Sequence, residues 1–538
     1  MKEKVENIIK EAILNLQRES KFLDFNMSEI EVNYPKEEKF GDYSTNAAMV
    51  LAKKLMKNPI EIAEEIKNQI PASPAGGSKI KNNSFDKIKI AKPGYINFYL
   101  SEKYLQEKVA EINEQKENFG NSEIGRGIKI NNEFISANPT GPLHLGNGRG
   151  GFYGDLIGRV CKKAGFGVVN EYYKNDAGEQ ALKFAHSFHK DDQAVYIGEY
   201  IDELRNKHKE ILDKSIQMSV APSAAAVMDD YINPAIEKMQ IEFDVFISEK
   251  SLYDDGFVDR AIEMLKNKKL TYKKDNALWL KTTEFGDDKD RVLVKSNGEK
   301  TYFASDCGYI LNKIERGFHK IIEIWGADHH GYMRRFESAA RALGFTGELK
   351  FIIAQLVRLV KDGKEVKMSK RAGNVVYIDE LIDKVGHDVA RFFFLLYSPD
   401  THMNFDLGLA EERSEKNPVF YVQYAHARIC SILRKSEILN LKSENLHLLT
   451  YEKELSLIKE LNKFPELIEE ISQTYEVHKL PHYAIKIADK FHDFYESCRV
   501  IDEKNSGLSG ARLNLVNAVR IILAETLRLM GISAPNKM

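Results

Sequence analysis

Cysteine is scarce in this chain, with four in 538 residues. Cys161, Cys307, Cys430 and Cys498 lie far apart and form no C-x-x-C. That excludes a disulfide framework and a cysteine zinc site, and leaves reduced, mostly buried thiols. Long apolar runs are missing as well. None approaches the ~18–20 residues of a membrane span. The opening stretch from Met1 to Arg18 is charged and amphipathic, without the apolar core of a signal peptide. Neither sign of charge dominates, since 78 basic residues face 80 acidic ones for a net charge of −2. Global attraction to nucleic acid is therefore excluded, and any such binding needs local basic surface. No internal repeat or low-complexity tract is present, which excludes a repeat architecture. What is present, 43% hydrophobic and 29% charged residues, suits a globular protein of two to four domains with ample core. The natural class is a cytoplasmic enzyme.

The chain changes character twice. Residues 1 to about 70 read as helices, and Pro71 to Gly77 as a flexible interruption. Ile88 to Ile90 and Tyr95 to Leu100 alternate as strands around Pro93-Gly94. This predicts an α+β N-terminal domain over 1–120. A strand from Ile128 to Ser136, a helix with Phe152, Leu156, Val160 and Ala164 on one face and Gly165 as its stop, and a strand from Val168 to Tyr173 form a βαβ unit. A parallel sheet follows from it, so 121–386 is expected to be an α/β Rossmann-like domain. Residues 180–265 read as a helical insertion. Further strands are expected at Arg291–Val294, Ile321–Ile324 and Phe351–Val360, with a hairpin turn at Asp362-Gly363. From 387 to 538 the pattern is almost wholly helical.

Two segments carry chemistry. Pro139-Thr-Gly-Pro-Leu-His144-Leu-Gly146-Asn147 opens the first helix of the βαβ unit. A helix N-terminus offers unpaired N–H groups and partial positive charge, which suits phosphate. His144 can donate a hydrogen bond to a phosphate as charge builds on it. Gly146, lacking a side chain, lets an adenine ring lie against the backbone. Asn138 can face a second substrate. Alone, His-x-Gly-Asn is common and weak. The same stretch also spells G-x-G-x-x-G at Gly146, Gly148 and Gly151, with Glu171 twenty residues on, the dinucleotide-binding pattern. That pattern wants its first glycine directly after the strand, whereas about ten residues with two prolines intervene here. It also leaves the second segment unused. That segment is Lys367-Met368-Ser-Lys370-Arg-Ala-Gly373. Two ammonium groups on a loop can close over a triphosphate and neutralise a leaving pyrophosphate. By itself a basic run is usually a solvated surface loop.

Together, in this order, the two segments resemble the ATP-handling signatures of class I aminoacyl-tRNA synthetases. Phe134 to Asn147, Glu171 to Gly178, Tyr302 to Asp306, Gly326-Ala-Asp-His-His-Gly331, Asp388 to Arg391, Tyr421 to Arg428, Phe491 to Tyr495 and Phe40 to Asn46 are similar to arginyl-tRNA synthetases in particular. The resemblance spans essentially the whole chain. It implies a multidomain protein whose 121–386 domain is catalytic and whose 387–538 segment is an all-α anticodon-binding bundle. It implies that His144, Asn147, Lys367 and Lys370 are catalytic and that they, with Gly146 and Met368, bind ATP. Asn138, Tyr302 and Asp306 would contact arginine, a carboxylate being the right partner for a guanidinium. Tyr43, Asn46, an exposed Tyr495 and Met538 would contact tRNA, the last two by stacking on unpaired bases. ATP with Mg²⁺ is the expected substrate complex, adenylate formation is expected to need bound tRNA, and no protein-bound zinc is expected. The chain is expected to be a cytoplasmic monomer with no membrane contact. Asp328-His329-His330 reads as a loop after a sheet strand and not as a metal cluster. Asp176, with Glu179 three residues on, reads as a helix capping box. Val422, Ala425, Ile429 and Leu433 read as core. Two positions depart from the family pattern. Asn147 stands where histidine is usual, and Lys273, in the tract Tyr272 to Asp275, stands where an acid contacting arginine is often found.

Overall fold

The computed structural model describes residues 1–23, 27, 29–70, 84–366, 376–438 and 445–538. The expected interruption at Pro71–Gly77 and the lysine segment, including Lys367, Met368 and Lys370, lie outside these.

The N-terminal region packs helices Lys2–Arg18, Ala47–Leu55 and Pro59–Gln69 with a four-stranded antiparallel sheet. At Tyr95–Leu100, Ile96, Phe98 and Leu100 point into the core, and Asn97 between them is buried as well. The next helix, Glu102–Gln115, turns toward the C-terminal helices: Asn113 donates to the carbonyl of Asn514 at 3.0 Å and accepts from Asn517 at 2.8 Å.

The central sheet has five parallel strands: β1 (Lys129–Glu133), β2 (Gly167–Lys174), β3 (Val245–Ser248), β4 (Lys320–Gly326) and β5 (Glu348–Ala354), in the order β5-β4-β1-β2-β3. Strand order reverses between β1 and β4, and the crevice outside their carboxyl ends is where ligands bind in such sheets. Helix α1 (Leu145–Lys163) contains six glycines and is a poor helix by propensity. Packing compensates. A Cβ on Gly154 would lie 2.3 Å from the ring of Phe134, so the helix approaches the sheet as only glycine permits. Helix α2 (Tyr302–Glu315), capped by the Thr301 side chain, crosses the other face of the sheet.

Three expectations need correction. The insertion is not purely helical, because β3 within it completes the central sheet. Phe351–Val360 is not one strand. It breaks after Ala354, and Val357–Lys361 pairs antiparallel with Lys364–Glu365 and parallel with Met403–Asp406 in a separate small sheet. Met403–Asp406 therefore interrupts the C-terminal helices. The hairpin turn at Asp362-Gly363 is present, with φ of 52° and 73°.

After helix α3 (His387–Leu395) come helices Pro418–Ile438, Glu452–Asn462, Phe464–Thr474, Lys479–Ser497 and finally α4 (Ser506–Leu529). Val422, Ala425 and Ile429 are fully buried, as their stripe predicts, and Leu433 packs against the same core. These helices are welded to the rest. Glu466 accepts from the Lys2 backbone N–H at 2.8 Å, from the Tyr43 hydroxyl at 2.9 Å and from the Tyr34 hydroxyl. Arg391 of α3, fully buried, donates to the carboxylate of Asp155 in α1 and to the carbonyl of Met530 just past α4. Lys163 at the end of α1 meets Glu525 of α4 at 2.9 Å. No described helix is long and apolar enough to cross a membrane.

Candidate active site

Around the sheet's switch point the described candidate residues for ATP and arginine fall into two groups. His144 is the N-cap of α1. Its Nδ1 accepts from the backbone N–H groups of Gly146 at 3.0 Å and Asn147 at 3.3 Å. The neutral ring therefore carries its proton on Nε2 and presents a donor. Asn147 completes a reciprocal capping box, its Oδ1 accepting from the His144 backbone N–H at 3.1 Å. The Asn147 departure thus has a local role in fixing the entry to the helix. A Cβ on Gly146 would lie 2.9 Å from the His144 imidazole, so glycine there keeps the ring in place.

Residues 376–378 pair with the same turn. Ile378 N–H donates to the Leu143 carbonyl at 2.9 Å, Leu145 N–H donates to the Val376 carbonyl at 3.3 Å, and His144 bridges Tyr377. The chain leaving the lysine segment runs beside the His144 turn. The dinucleotide pattern finds no support. Gly148 and Gly151 are buried inside α1 against Ile378 and against Met239 and Ile135, not in a strand-to-helix turn.

A second group of side chains gathers around the start of α2. Asn138 is exposed, and its amide lies 3.1 Å from that of Asn175. Tyr302 is 44% exposed, and its hydroxyl accepts from the Glu179 N–H. Asp306, one turn along α2, accepts from the Tyr332 hydroxyl. The Arg335 guanidinium lies 4.6 Å from the ring of Tyr332. Burial, with Glu249 adding, pushes the Asp306 carboxyl up to about 8 against the pull of Arg335. Glu249 is a residue the sequence reading missed. It is 3% exposed and accepts from Ser305 at 3.0 Å, and burial pushes its carboxyl up to about 7. Asn175, with its amide turned to satisfy both ends, donates to Glu249 at 2.6 Å. The tract Tyr272 to Asp275, where Lys273 stands in place of a frequent family acid, lies in an antiparallel hairpin with Lys273 exposed. The only signal for Glu249 was its place just after β3, at the carboxyl edge of a sheet strand.

Asp176 does not cap its own helix, whose N-cap is Ala177 without a side-chain bond. It reaches across to Ser248 at 2.7 Å and to the Lys250 N–H at 3.1 Å, holding the segment that carries Glu249. Gly326 to Gly331 forms the end of β4 and a 3₁₀ turn, as expected of a loop after a strand. Among the described residues no group of three or more His, Cys, Asp or Glu side chains is arranged to hold a metal ion.

Of the four residues expected at tRNA, two are occupied in other ways. Tyr43 is 1% exposed with its hydroxyl on Glu466, so its ring is not available for stacking. Asn46 precedes helix Ala47–Leu55 and accepts from the Glu31 N–H at 2.9 Å. Tyr495 is half-buried, not exposed, with the Arg428 guanidinium 4.4 Å from its ring centre. Tyr495 and Met538 do share one cavity of about 700 Å³, walled also by Tyr424, Arg428, Arg434 and Arg499. An aromatic and cationic pocket of that kind suits an unpaired base and its phosphate.

Residues 3–100 match the arginyl tRNA synthetase N terminal domain, 199–392 the catalytic domain of class I (R) tRNA synthetases, and 422–538 the DALR anticodon binding domain. The arginine–tRNA ligase of Caldanaerobacter subterraneus subsp. tengcongensis is 40% identical, with 100% of this chain and 99% of that one covered. The arginine–tRNA ligase of Bacillus licheniformis is 41% identical over the same shares. The fold matches the solved arginyl-tRNA synthetase of Thermus thermophilus with a TM-score of 0.77 and 20% identity, over 100% of both chains. The helix-capping histidine turn, the acid-lined crevice beside it, the basic cavity in the bundle and these full-length likenesses agree: the chain belongs to the arginyl-tRNA synthetase family.

Proposed function

We propose that this chain, an arginine–tRNA ligase by family, divides its work between the two halves of the crevice. ATP, carrying Mg²⁺, lies along the His144 turn, with Gly146 under the adenine and Asn147 and the α1 N-terminus toward phosphate. Lys367, Met368 and Lys370 close over it. Arginine enters the acidic half, its guanidinium between Asp306 and Glu249 and its other end near Asn138 and Tyr302. The carboxylate of arginine attacks the α-phosphate in line and pyrophosphate leaves. The terminal ribose hydroxyl of tRNA then attacks the adenylate. No protein nucleophile takes part. Positioning, the Nε2 donor of His144 and the two lysines stabilise the charge that develops.

The observation that supports this reading is the backbone pairing of residues 143–145 with 376–378, beside the His144 turn. On the RNA side, Tyr495 and Met538 take an anticodon base, while Asn46 lies on the domain that meets the outer part of the tRNA and Tyr43 supports that domain from within. The protein works in the cytoplasm as a monomer, and adenylate formation waits for tRNA. Charging of total tRNA by the purified chain, with each of the twenty amino acids in turn, tests the reading. Arginine alone should be incorporated, and pyrophosphate exchange with arginine should require tRNA. Charging with another amino acid, or robust exchange without RNA, overturns the corresponding part.

A further inference from the structure

The central sheet carries an unusual row of charge beneath the crevice. Glu323 on β4, Glu133 on β1 and Glu171 on β2 are direct neighbours in register on three parallel strands. Their exposures are 1%, 6% and 0%. Three buried carboxyls side by side repel one another and demand cations. Helix α2 supplies them. Lys313, fully buried, places its ammonium 2.6 Å from Glu133 and 2.6 Å from Glu323, with Glu171 at 3.9 Å. Arg316 meets Glu171 at 2.5 Å, and the Tyr309 hydroxyl lies 2.6 Å from Glu133. Burial would raise the Glu133 carboxyl, but Lys313 outweighs it and keeps Glu133 ionised. Burial and the neighbouring Glu133 push the Glu323 carboxyl well up, against the pull of Lys313.

Two features tie this network to substrate. Positions 302, 306, 309 and 313 fall on one face of the same helix, with Arg316 at its C-cap, so Lys313 anchors the face that presents Tyr302 and Asp306. Glu133 also accepts from the Ser136 hydroxyl at 2.9 Å, and that hydroxyl accepts from the Tyr173 N–H at 3.0 Å. Ile135 and Ser136 have φ of 65° and 36°. A β-branched residue in the left-handed region is strained and persists only if its surroundings hold it. The strained turn leads directly to Asn138.

We propose that Lys313 is a positioning residue for arginine activation, docking the Tyr302–Asp306 face of α2 and, through Glu133 and Ser136, the strained turn that presents Asn138. The proposal rests on the arginine-ligase reading. Both walls of the arginine site then hang on one ammonium group, while the His144 turn, capped by its own helix, does not. Small misplacements of substrate-binding groups cost large factors in rate.

The test uses the full chain in tRNA charging, with KM measured separately for arginine and ATP. Lys313→Met should raise the arginine KM about tenfold or more while the ATP KM changes less than about twofold. Ser136→Ala removes one hydroxyl, should leave thermal stability nearly unchanged, and should raise the arginine KM by about threefold or more. Glu323→Gln, which touches Lys313 but not the turn, should stay within about twofold on both. Equal effects of Lys313→Met on the two KM values, an unchanged arginine KM in Ser136→Ala, or a Glu323→Gln defect as large as that of Lys313→Met would overturn the proposal. If Lys313→Met does not fold, the Ser136 and Glu323 variants decide. Wild-type protein that fails to charge arginine refutes the ligase reading and is seen before any variant is made.

Discussion

Replacing Asp306 by asparagine should weaken arginine by an amount that depends on pH, and the dependence is the sharper test. Opposite a guanidinium, an ionised Asp306 forms a buried charge pair, and breaking such a pair typically costs about 3–5 kcal/mol. The empty site does not present that charge freely, because burial and Glu249 raise Asp306 to about 8. At pH 7 the wild type must give up a proton against roughly one unit, which costs about 1.4 kcal/mol. The net loss in Asp306→Asn is then about 1.6–3.6 kcal/mol, or a rise of roughly 15- to 400-fold in the arginine KM. At pH 6 the deprotonation cost doubles and the gap between the two proteins should shrink by about tenfold. The sign is fixed: an acid raised in the empty protein keeps its proton until pH approaches 8, so wild-type arginine affinity improves as pH rises toward that value. Glu249, at about 7, leaves the variant a weaker slope confined to lower pH. Arginine titrations at pH 6, 7 and 8, in buffers of different ionisation enthalpy, would read both the gap and the released proton. A gap of equal size at pH 6 and 8, or binding without proton release at pH 7, would refute the reasoning.

Lys370→Ala should slow adenylate formation by an amount equivalent to about 2–4 kcal/mol while arginine binding is little changed, because the ammonium meets charge that develops as pyrophosphate leaves; single-turnover kinetics with tRNA present checks it. Tyr495→Ala should weaken tRNA binding by about 1–3 kcal/mol, the worth of one stacked base, and leave the KM for ATP unchanged; filter binding and charging assays read the two effects. Glu466→Ala should strand the buried partners of its carboxylate, each at about 1–3 kcal/mol, and lower the first thermal transition by several degrees. Burial raises the Glu466 carboxyl, but the Met1 amine and the Tyr34 hydroxyl outweigh it and hold it low. Its contribution is present above the ordinary carboxylate range and fades as pH falls through its lowered value, which melting curves between pH 3 and pH 7 would follow.

The fold class was legible wherever a pattern is local. Pro93-Gly94 between alternating strands, Gly165 closing α1, and Asp362-Gly363 turning a hairpin each state their geometry in two or three residues. The helix start at His144 was legible for the same reason. Reading failed where partners come from distant segments. Nothing near Asp176 in sequence reveals that its partners are Ser248 and Lys250. Glu249 looks like a helix-opening glutamate until β3 is seen to join the sheet and bring it beside Ser305. Nothing near Tyr43, placed at tRNA by the family resemblance, reveals that its hydroxyl partner, Glu466, lies more than four hundred positions away. The apparent break between catalytic and helical regions marks a change of pattern. It does not mark a seam in packing, since Lys163 and Arg391 depend on α4 and on the segment just after it.

Arg391 has a mechanical meaning beyond packing. It grips Asp155, halfway along α1, and the Met530 carbonyl at the end of the last bundle helix. Lys163 and Glu525 repeat the grip at the rear of α1. A helix of 19 residues is a rod about 28 Å long, stiff on the scale of side-chain motion. Its front end is His144 and its rear half is clamped to the bundle. A displacement at either end of α1 is therefore passed to the other, because the rod couples the His144 turn mechanically to the last bundle helix. The histidine turn and the bundle are the two ends of one lever.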